Sequence, residues 1–221
     1  MRKPLDFWGR ISWGAALALA LPLAANSAHP QPLLPLLPAA SEGGTAREGV
    51  VALFRQSLWW EFIRGNRGEN LRLFPASLTA SDRQDMVAVF EIQRQPTVEP
   101  VVRVLSFRHQ GGYDFRLLHT AEPIPGRLVE AHLRTDITSS AQPKLVLLTE
   151  RGGISLLRSV LILEHRAEGF VPLLSVTDLS NASLRVSPQG ILVISSVPGA
   201  NRDSRATLYQ WEGDGFVRRD L

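Results

Sequence analysis

A pattern of alternating apolar residues, a polar glycine turn and an aromatic residue recurs along the chain. Its three copies are Leu105–Tyr113, Leu161–Phe170 and Thr207–Phe216. Alternation with a period of two is typical of a strand with one buried face, and the glycine turn allows the chain to reverse. Each copy therefore predicts a β-hairpin, and the recurrence predicts a scaffold of repeated antiparallel units.

Four short apolar runs open the predicted units, and each is bounded by polar or glycine-containing segments. They are Val50–Phe54, Met86–Phe90, Leu145–Leu148 and Ile191–Ile194. Such runs are typical of strands that are buried on both faces. In the first unit the hairpin would pair Trp59–Arg64 with Leu71–Phe74 across the turn Gly65–Gly68.

The predicted fold is therefore mainly β, with repeated antiparallel hairpin or meander units arranged as a propeller or a partial propeller. A β-sandwich with one N-terminal helix is the alternative. It arises because Val50, Phe54, Leu58 and Phe62 lie four residues apart, which also fits one face of an amphipathic helix. The strand interpretation of residues 46–63 rests on their similarity to Met86–Phe90, and both interpretations stay open.

The first 28 residues have the features of a secretory signal peptide. The basic residues are Arg2, Lys3 and Arg10. The apolar run Gly14–Ala25 follows, and Ala25–Ala28 offers small residues for cleavage. We expect export to the periplasm, the cell envelope or the medium. An uncleaved membrane anchor is the alternative, and membrane contact is expected only through this segment.

Residues 29–45 form a predicted linker, and residues 46–221 form the predicted β-repeat domain. The prolines of the linker are Pro30, Pro32, Pro35 and Pro38, and a Gly-Gly pair follows them. Proline-rich chain cannot propagate a helix and suits an extended spacer. A docking peptide for a proline-recognising partner is the alternative.

Composition narrows the range of partners. The chain has 24 Lys and Arg against 21 Asp and Glu, a formal net charge of +3, and its only lysines are Lys3 and Lys144. The near balance of charges predicts no basic face, so we expect no nucleic-acid partner. The chain contains no Cys, so neither a lipid-modified cysteine at the cleavage site nor a disulfide is available.

Two segments that precede apolar strands resemble the FG-GAP/VCBS-type repeat of integrin-like β-propellers. They are Ser77–Ala88 and Asp136–Leu147. In that family an acidic, glycine-containing loop runs directly into a strand, and its carboxylates hold calcium. The resemblance implies blade-like sheets and a binding scaffold rather than a catalytic one. The acidic residues that remain are Asp82, Asp85 and Asp136. Calcium takes about six to eight oxygen ligands, so three carboxylates in two loops are too few and we expect no metal. We also expect no other cofactor.

The histidines of the hairpins have a structural explanation. His109 and His165 occupy the same place in two copies of the pattern, and Trp211 occupies it in the last copy. A position that accepts either His or Trp selects for size and amphipathic character, so we expect packing rather than catalysis or metal binding.

A second polar set lies on one predicted strand. His132, Arg134 and Asp136 alternate, so they share one face and could bind an anion or form an acid–base set. The alternative is a solvated face of a half-buried strand. The residues turned inward would then be Val129, Ala131 and Leu133.

The densest aromatic patch is Trp59 and Trp60, next to Phe62. On a strand one of the two indoles must face away from the core, which favours a contact surface. The candidate partner-binding residues are therefore Trp59, Trp60 and Arg134. No G-x-S-x-G elbow, P-loop or H-x-x-x-H pair occurs, so no residue is predicted to be catalytic.

These features predict an exported, non-catalytic β-repeat module of the periplasm or cell envelope that presents loops to a protein or glycan partner. Repeat scaffolds commonly place binding in their loops and packing in their strands. The alternative is an exported hydrolase whose site is assembled from dispersed Asp, Glu and His residues.

Overall fold

The computed structural model describes residues 45–78, 84–93, 98–152, 156–197 and 203–221. These residues belong to a single unit of mutual contacts. The predicted signal peptide, the linker up to residue 44 and most of the segment Ser77–Asp85 lie outside the described residues. Neither helix in the described ranges has the length and apolar character needed to cross a membrane.

Two helices precede three antiparallel sheets in the described ranges. The helices are α1 (Thr45–Phe54) and α2 (Leu58–Gly65). The first sheet contains β1 (Gly68–Ala76), β2 (Asp85–Ile92), β3 (Val101–Gly111), β4 (Asp114–Thr120) and the short β5 (Ile124–Pro125). The second contains β6 (Arg127–Arg134), β7 (Lys144–Arg151), β8 (Leu157–Arg166) and β9 (Gly169–Ser180). The third contains β10 (Ser183–Ser187), β11 (Gly190–Ser196), β12 (Ser204–Glu212) and β13 (Gly215–Asp220).

Each sheet is a meander in which consecutive strands pair, and β5 adds to β3. The prediction of a mainly β fold built from repeated antiparallel units is confirmed. Both a partial propeller and a β-sandwich are compatible with these three sheets.

The layers follow the order of the chain. Helices α1 and α2 cover one face of the first sheet, whose other face packs on the second sheet. The second sheet packs in turn on the third. Along β7, Leu145 and Leu147 point to the first sheet, and Val146 and Leu148 point to the third. This double burial explains why the β7 run is continuously apolar.

The strand interpretation of the first unit is wrong, and the helix alternative is observed. Val50–Phe54 lies in α1 and Trp59–Arg64 lies in α2. Phe54 and Ile63 are fully buried against the first sheet. Ser57 caps α2, since its hydroxyl accepts a hydrogen bond from the backbone N–H of Trp60 at 3.4 Å. The other three apolar runs form strands as predicted.

Each hairpin copy places an aromatic residue opposite the predicted position, although a bulge between His109 and Gly111 makes this residue Phe115 in the first copy rather than Tyr113. His109 lies opposite Phe115, His165 opposite Phe170 and Trp211 opposite Phe216. The ring centroids of these pairs are 4.7, 5.2 and 5.2 Å apart, respectively. The equivalence of the three positions is confirmed, and each supplies one half of an aromatic pair beside a turn.

Candidate functional site

A groove of about 380 Å³ lies where loops of the second sheet meet hairpins of the third. The β6–β7 loop supplies Asp136 and Ser139, the β10–β11 turn supplies Gln189, and the end of β12 supplies Gln210 and Trp211. Because these loops come from two sheets, the groove depends on how the sheets stack. No short sequence motif could have revealed it.

The predicted binding residue Arg134 lies directly beside this groove. Its Nε and Nη2 atoms donate to the two carboxylate oxygens of Asp136 at 2.8 and 2.6 Å. This two-pronged hydrogen bond lowers the pKa of the Asp136 carboxyl and raises the pKa of the guanidinium. Both groups are therefore charged at neutral pH, and their charges cancel at the rim of the groove.

The third member of the predicted polar set has a different partner. His132 Nε2 lies 3.1 Å from Glu130 Oε2, so it does not join Arg134 and Asp136. Val129, Ala131 and Leu133 were predicted to turn inward together. A bulge between Leu128 and Glu130 instead places Val129 against the third sheet. The remaining inward residues, Ala131 and Leu133, pack between the first and second sheets as predicted.

Trp211 forms the aromatic wall of the groove. Its ring meets Phe216 edge to face at 5.2 Å. The indole Nε1 is shielded from solvent and has no hydrogen-bond acceptor within the part of the chain that the structure describes. A buried N–H without an acceptor is unfavourable, so this donor has unused binding capacity.

The β6–β7 loop is held by a buried ammonium group. Lys144 is fully buried, and its Nζ donates to the carbonyl oxygens of Ser140 at 2.6 Å and Gln142 at 2.5 Å. Glu164 Oε1 lies 3.4 Å away on β8. Burial lowers the pKa of Lys144, and the charge of Glu164 opposes this shift. In the loop that resembles a calcium-binding repeat, loop oxygens thus surround a cation supplied by the chain.

Glu164 has a second cationic partner. Arg166 Nε donates to its other carboxylate oxygen at 2.6 Å. Burial acts to raise the pKa of Glu164, but the Arg166 hydrogen bond and the Lys144 charge outweigh it, so the pKa is lowered. The sequence analysis did not predict the Lys144–Glu164 pair. The two residues are cross-strand neighbours in the register of β7 and β8. Among the described residues no three His, Cys, Asp or Glu side chains come together as a metal-binding group.

A hydroxyl and an imidazole meet in the interior between the first and second sheets. Ser106 Oγ lies 3.2 Å from His165 Nε2, and the ring of His119 lies 5.2 Å from that of His165. Ser106 and His165 are only 0% and 4% exposed. Burial, followed by the proximity of His119, lowers the pKa of His165. The imidazole is therefore neutral at pH 7, and solvent and substrates cannot reach this pair.

Trp59 is tied to the first sheet. Its Nε1 donates to the carbonyl oxygen of Phe115 at 2.6 Å, and its ring lies 5.0 Å from that of Phe107. Trp60 contacts a different partner: the guanidinium of Arg55 is 5.9 Å from its ring centroid. Both indoles are half-buried. The strand-based argument that one of them faces away from the core does not apply, because both lie on a helix.

Leu58 and Phe62 are large apolar side chains of α2 that are exposed to solvent. The exposed fractions of Leu58 and Phe62 are 87% and 53%. The structure therefore separates the predicted binding residues into two places. Arg134 lies beside the groove, whereas Trp59 and Trp60 lie on α2, where Trp59 packs against the first sheet.

No family model, no curated protein and no solved structure matches this chain. The resemblance to FG-GAP/VCBS repeats stays a prediction.

Proposed function

We propose that the protein is an exported, non-catalytic binding module of the periplasm or cell envelope. Its sheets hold loops in place, and the loops contact a protein or glycan partner at the groove. The groove beside Arg134 and Asp136 is the observation that supports this function most directly, because loops from two sheets build it and an ion pair fixes one wall.

The burial of the Ser106–His165 pair supports a binding function over a serine hydrolase that would use this pair. A serine nucleophile and its base must reach the substrate. Ser106 and His165 form the closest hydroxyl–imidazole pair among the described side chains, and both are sealed between two sheets. Export rests on the signal-like segment in residues 1–28.

Site-specific photo-crosslinking in intact cells tests this function. A photo-reactive amino acid replaces Gln189 in the groove, Leu58 on α2 or Glu99, which is exposed and outside both surfaces. We expect an envelope component to be captured from position 189 and not from position 99. Capture from position 58 alone would move the binding surface to α2. The absence of capture from all three positions would reject a binding function.

A further inference from the structure

We propose that the groove binds a neutral saccharide, with Trp211 as its stacking platform and the side-chain amides of Gln189 and Gln210 as its hydrogen-bonding groups. This inference rests on the proposed function and names the ligand class of the same groove. The volume of about 380 Å³ lies at the lower end of the range for small-molecule sites, which fits one or two sugar rings.

Charge is the first reason for this ligand class. The ionisable side chain in the groove wall is Asp136, and Arg134 neutralises it through two hydrogen bonds. A strongly anionic or cationic ligand would therefore find no uncompensated counter-charge in the wall. A neutral ligand is compatible with the ion pair, and its hydroxyl groups can use the free lone pairs of the carboxylate.

The amides are the second reason. The side chains of Gln189 and Gln210 form no hydrogen bond with another group in the described ranges, and both line the groove. A primary amide donates from its nitrogen and accepts at its oxygen. A sugar hydroxyl likewise donates and accepts, so two amides match neighbouring hydroxyls on the rim of a sugar ring.

Trp211 is the third reason. The C–H face of a sugar ring is apolar and flat, so it packs on an indole while its hydroxyls point to the rim of the groove. The Nε1–H of Trp211 has no acceptor within the described part of the chain, and a ligand oxygen can supply one. Because this nitrogen is shielded from solvent, pairing requires a small rotation of the indole, which tryptophan fluorescence would report.

A peptide fits the groove less well. Peptide ligands usually anchor an apolar side chain in a pocket or add a strand to a sheet edge. Apart from Trp211, the apolar side chains of the wall are Ile137 and Pro188, and Ile137 is itself buried in the core between the second and third sheets. The groove therefore offers a stacking surface and hydrogen-bonding groups rather than an anchor pocket.

Ligand-observed NMR and fluorescence titration of the purified full chain test the proposal. The probes are maltotriose and chitotriose as neutral saccharides, heparin tetrasaccharide as an anionic one, and tetra-alanine as a peptide. We expect at least one neutral trisaccharide to bind with a dissociation constant below about 1 mM and to change the tryptophan emission.

Three variants locate the binding. Trp211→His keeps a side chain that the same register position accepts in the other two hairpins, and we expect it to weaken binding at least tenfold. Gln189→Ala lies in an exposed turn, so it should fold normally and weaken binding at least threefold. Gln56→Ala is the matched control for Gln189→Ala, because Gln56 is exposed and does not line the groove, and it should bind like the parent chain.

The saccharide proposal is overturned if neither neutral trisaccharide binds at 10 mM, if only heparin tetrasaccharide or tetra-alanine binds, or if Gln189→Ala retains full affinity. If Trp211→His fails to fold, the result for Gln189→Ala decides. Crosslinking of a protein from position 189 together with a failure of both saccharides would leave the binding function intact and reject the ligand class.

Discussion

The ammonium of Lys144 and the carboxylate of Glu164 face each other across β7 and β8 at 3.4 Å, with the lysine side chain wholly removed from solvent. The same ammonium also donates to two carbonyl oxygens of the β6–β7 loop. One side chain at the start of β7 thus connects Glu164 of β8 to a loop that lines the groove. The position of that loop therefore depends on the charge at residue 144.

Replacing the lysine tests this link. Lys144→Met should lower the free energy of unfolding by about 3–5 kcal/mol, because it leaves a buried carboxylate with one partner fewer. Arg166→Ala removes the more exposed partner and should cost about 1 kcal/mol or less. The double variant Lys144→Met, Glu164→Gln should regain part of the loss. Urea unfolding measures all three, and equal losses for the two single variants would contradict this account.

Calcium should have little effect on the protein. The carbonyl oxygens of Ser140 and Gln142 already bind the Lys144 ammonium, so few oxygens of this loop are left for a divalent ion. A cation that binds only the folded state would raise the melting temperature. We expect the melting temperature in millimolar calcium to equal that in EDTA. A reversible rise of several degrees would show that the loop binds the metal.

Stability should fall in mildly acidic solution because of His165. Its pKa in the folded chain is lowered from the ordinary value of 6.5, chiefly by burial. As the pH falls below about 6.5, the unfolded chain takes up a proton that the folded chain does not, so unfolding becomes more favourable. His165→Gln should flatten the decline in melting temperature between pH 7 and pH 5. His109→Gln is the matched control, and the proposed role of His165 is wrong if both variants keep the parent slope.

Two glycines beside turns of the third sheet should differ in the stability that is lost on substitution. Gly190 has a φ of +135°, and a Cβ there would lie 2.4 Å from the carbonyl oxygen of Tyr209. Gly190→Ala should therefore cost about 2–4 kcal/mol. Gly215 also follows a turn, but a Cβ at that position meets no atom within 4 Å. Gly215→Ala should cost less than about 1 kcal/mol in the same thermal unfolding experiment.

The two neighbouring tryptophans, Trp59 and Trp60, should differ in their contribution to the free energy of unfolding. Trp59→Ala removes a hydrogen bond to Phe115 and a ring contact with Phe107, so we expect a loss of about 2–3 kcal/mol. Trp60→Ala removes a contact with Arg55 at the surface and should cost about 1 kcal/mol or less. Guanidinium unfolding followed by far-UV circular dichroism compares them. A larger loss of stability for Trp60→Ala than for Trp59→Ala would contradict the packing of Trp59 described above.

The features that the sequence predicts well are local. A hairpin needs alternation and a turn, and both lie within about ten residues, so all three hairpin copies were predictable. The run Val50–Phe54 was ambiguous because four or five apolar residues suit a buried strand or a helix equally. In the structure this segment is helical, and Phe54 of α1 and Ile63 of α2 pack on the first sheet.

The candidate site could be predicted only in part. Arg134 ends β6 and Asp136 follows it in the β6–β7 loop, and their predicted proximity is observed. His132, which was predicted to join them on one strand face, pairs with Glu130 instead. Gln189 and Trp211 join Arg134 and Asp136 through the stacking of the second and third sheets, which leaves no mark in local spacing. The Lys144–Glu164 pair needed the exact register of β7 and β8, and a shift of one residue would have separated the two side chains.

The meander order of the sheets has a consequence for how the chain reaches its final form. Nearly all strand pairs in the described ranges join neighbours in sequence, so contact order is low for a β protein and each sheet can form without waiting for distant partners. A chain that emerges from its N terminus can complete the first sheet, then the second, then the third. Until the third sheet arrives, Val146 and Leu148 present an uncovered apolar surface. We expect aggregation to compete with folding in that interval, because exposed apolar surface promotes association.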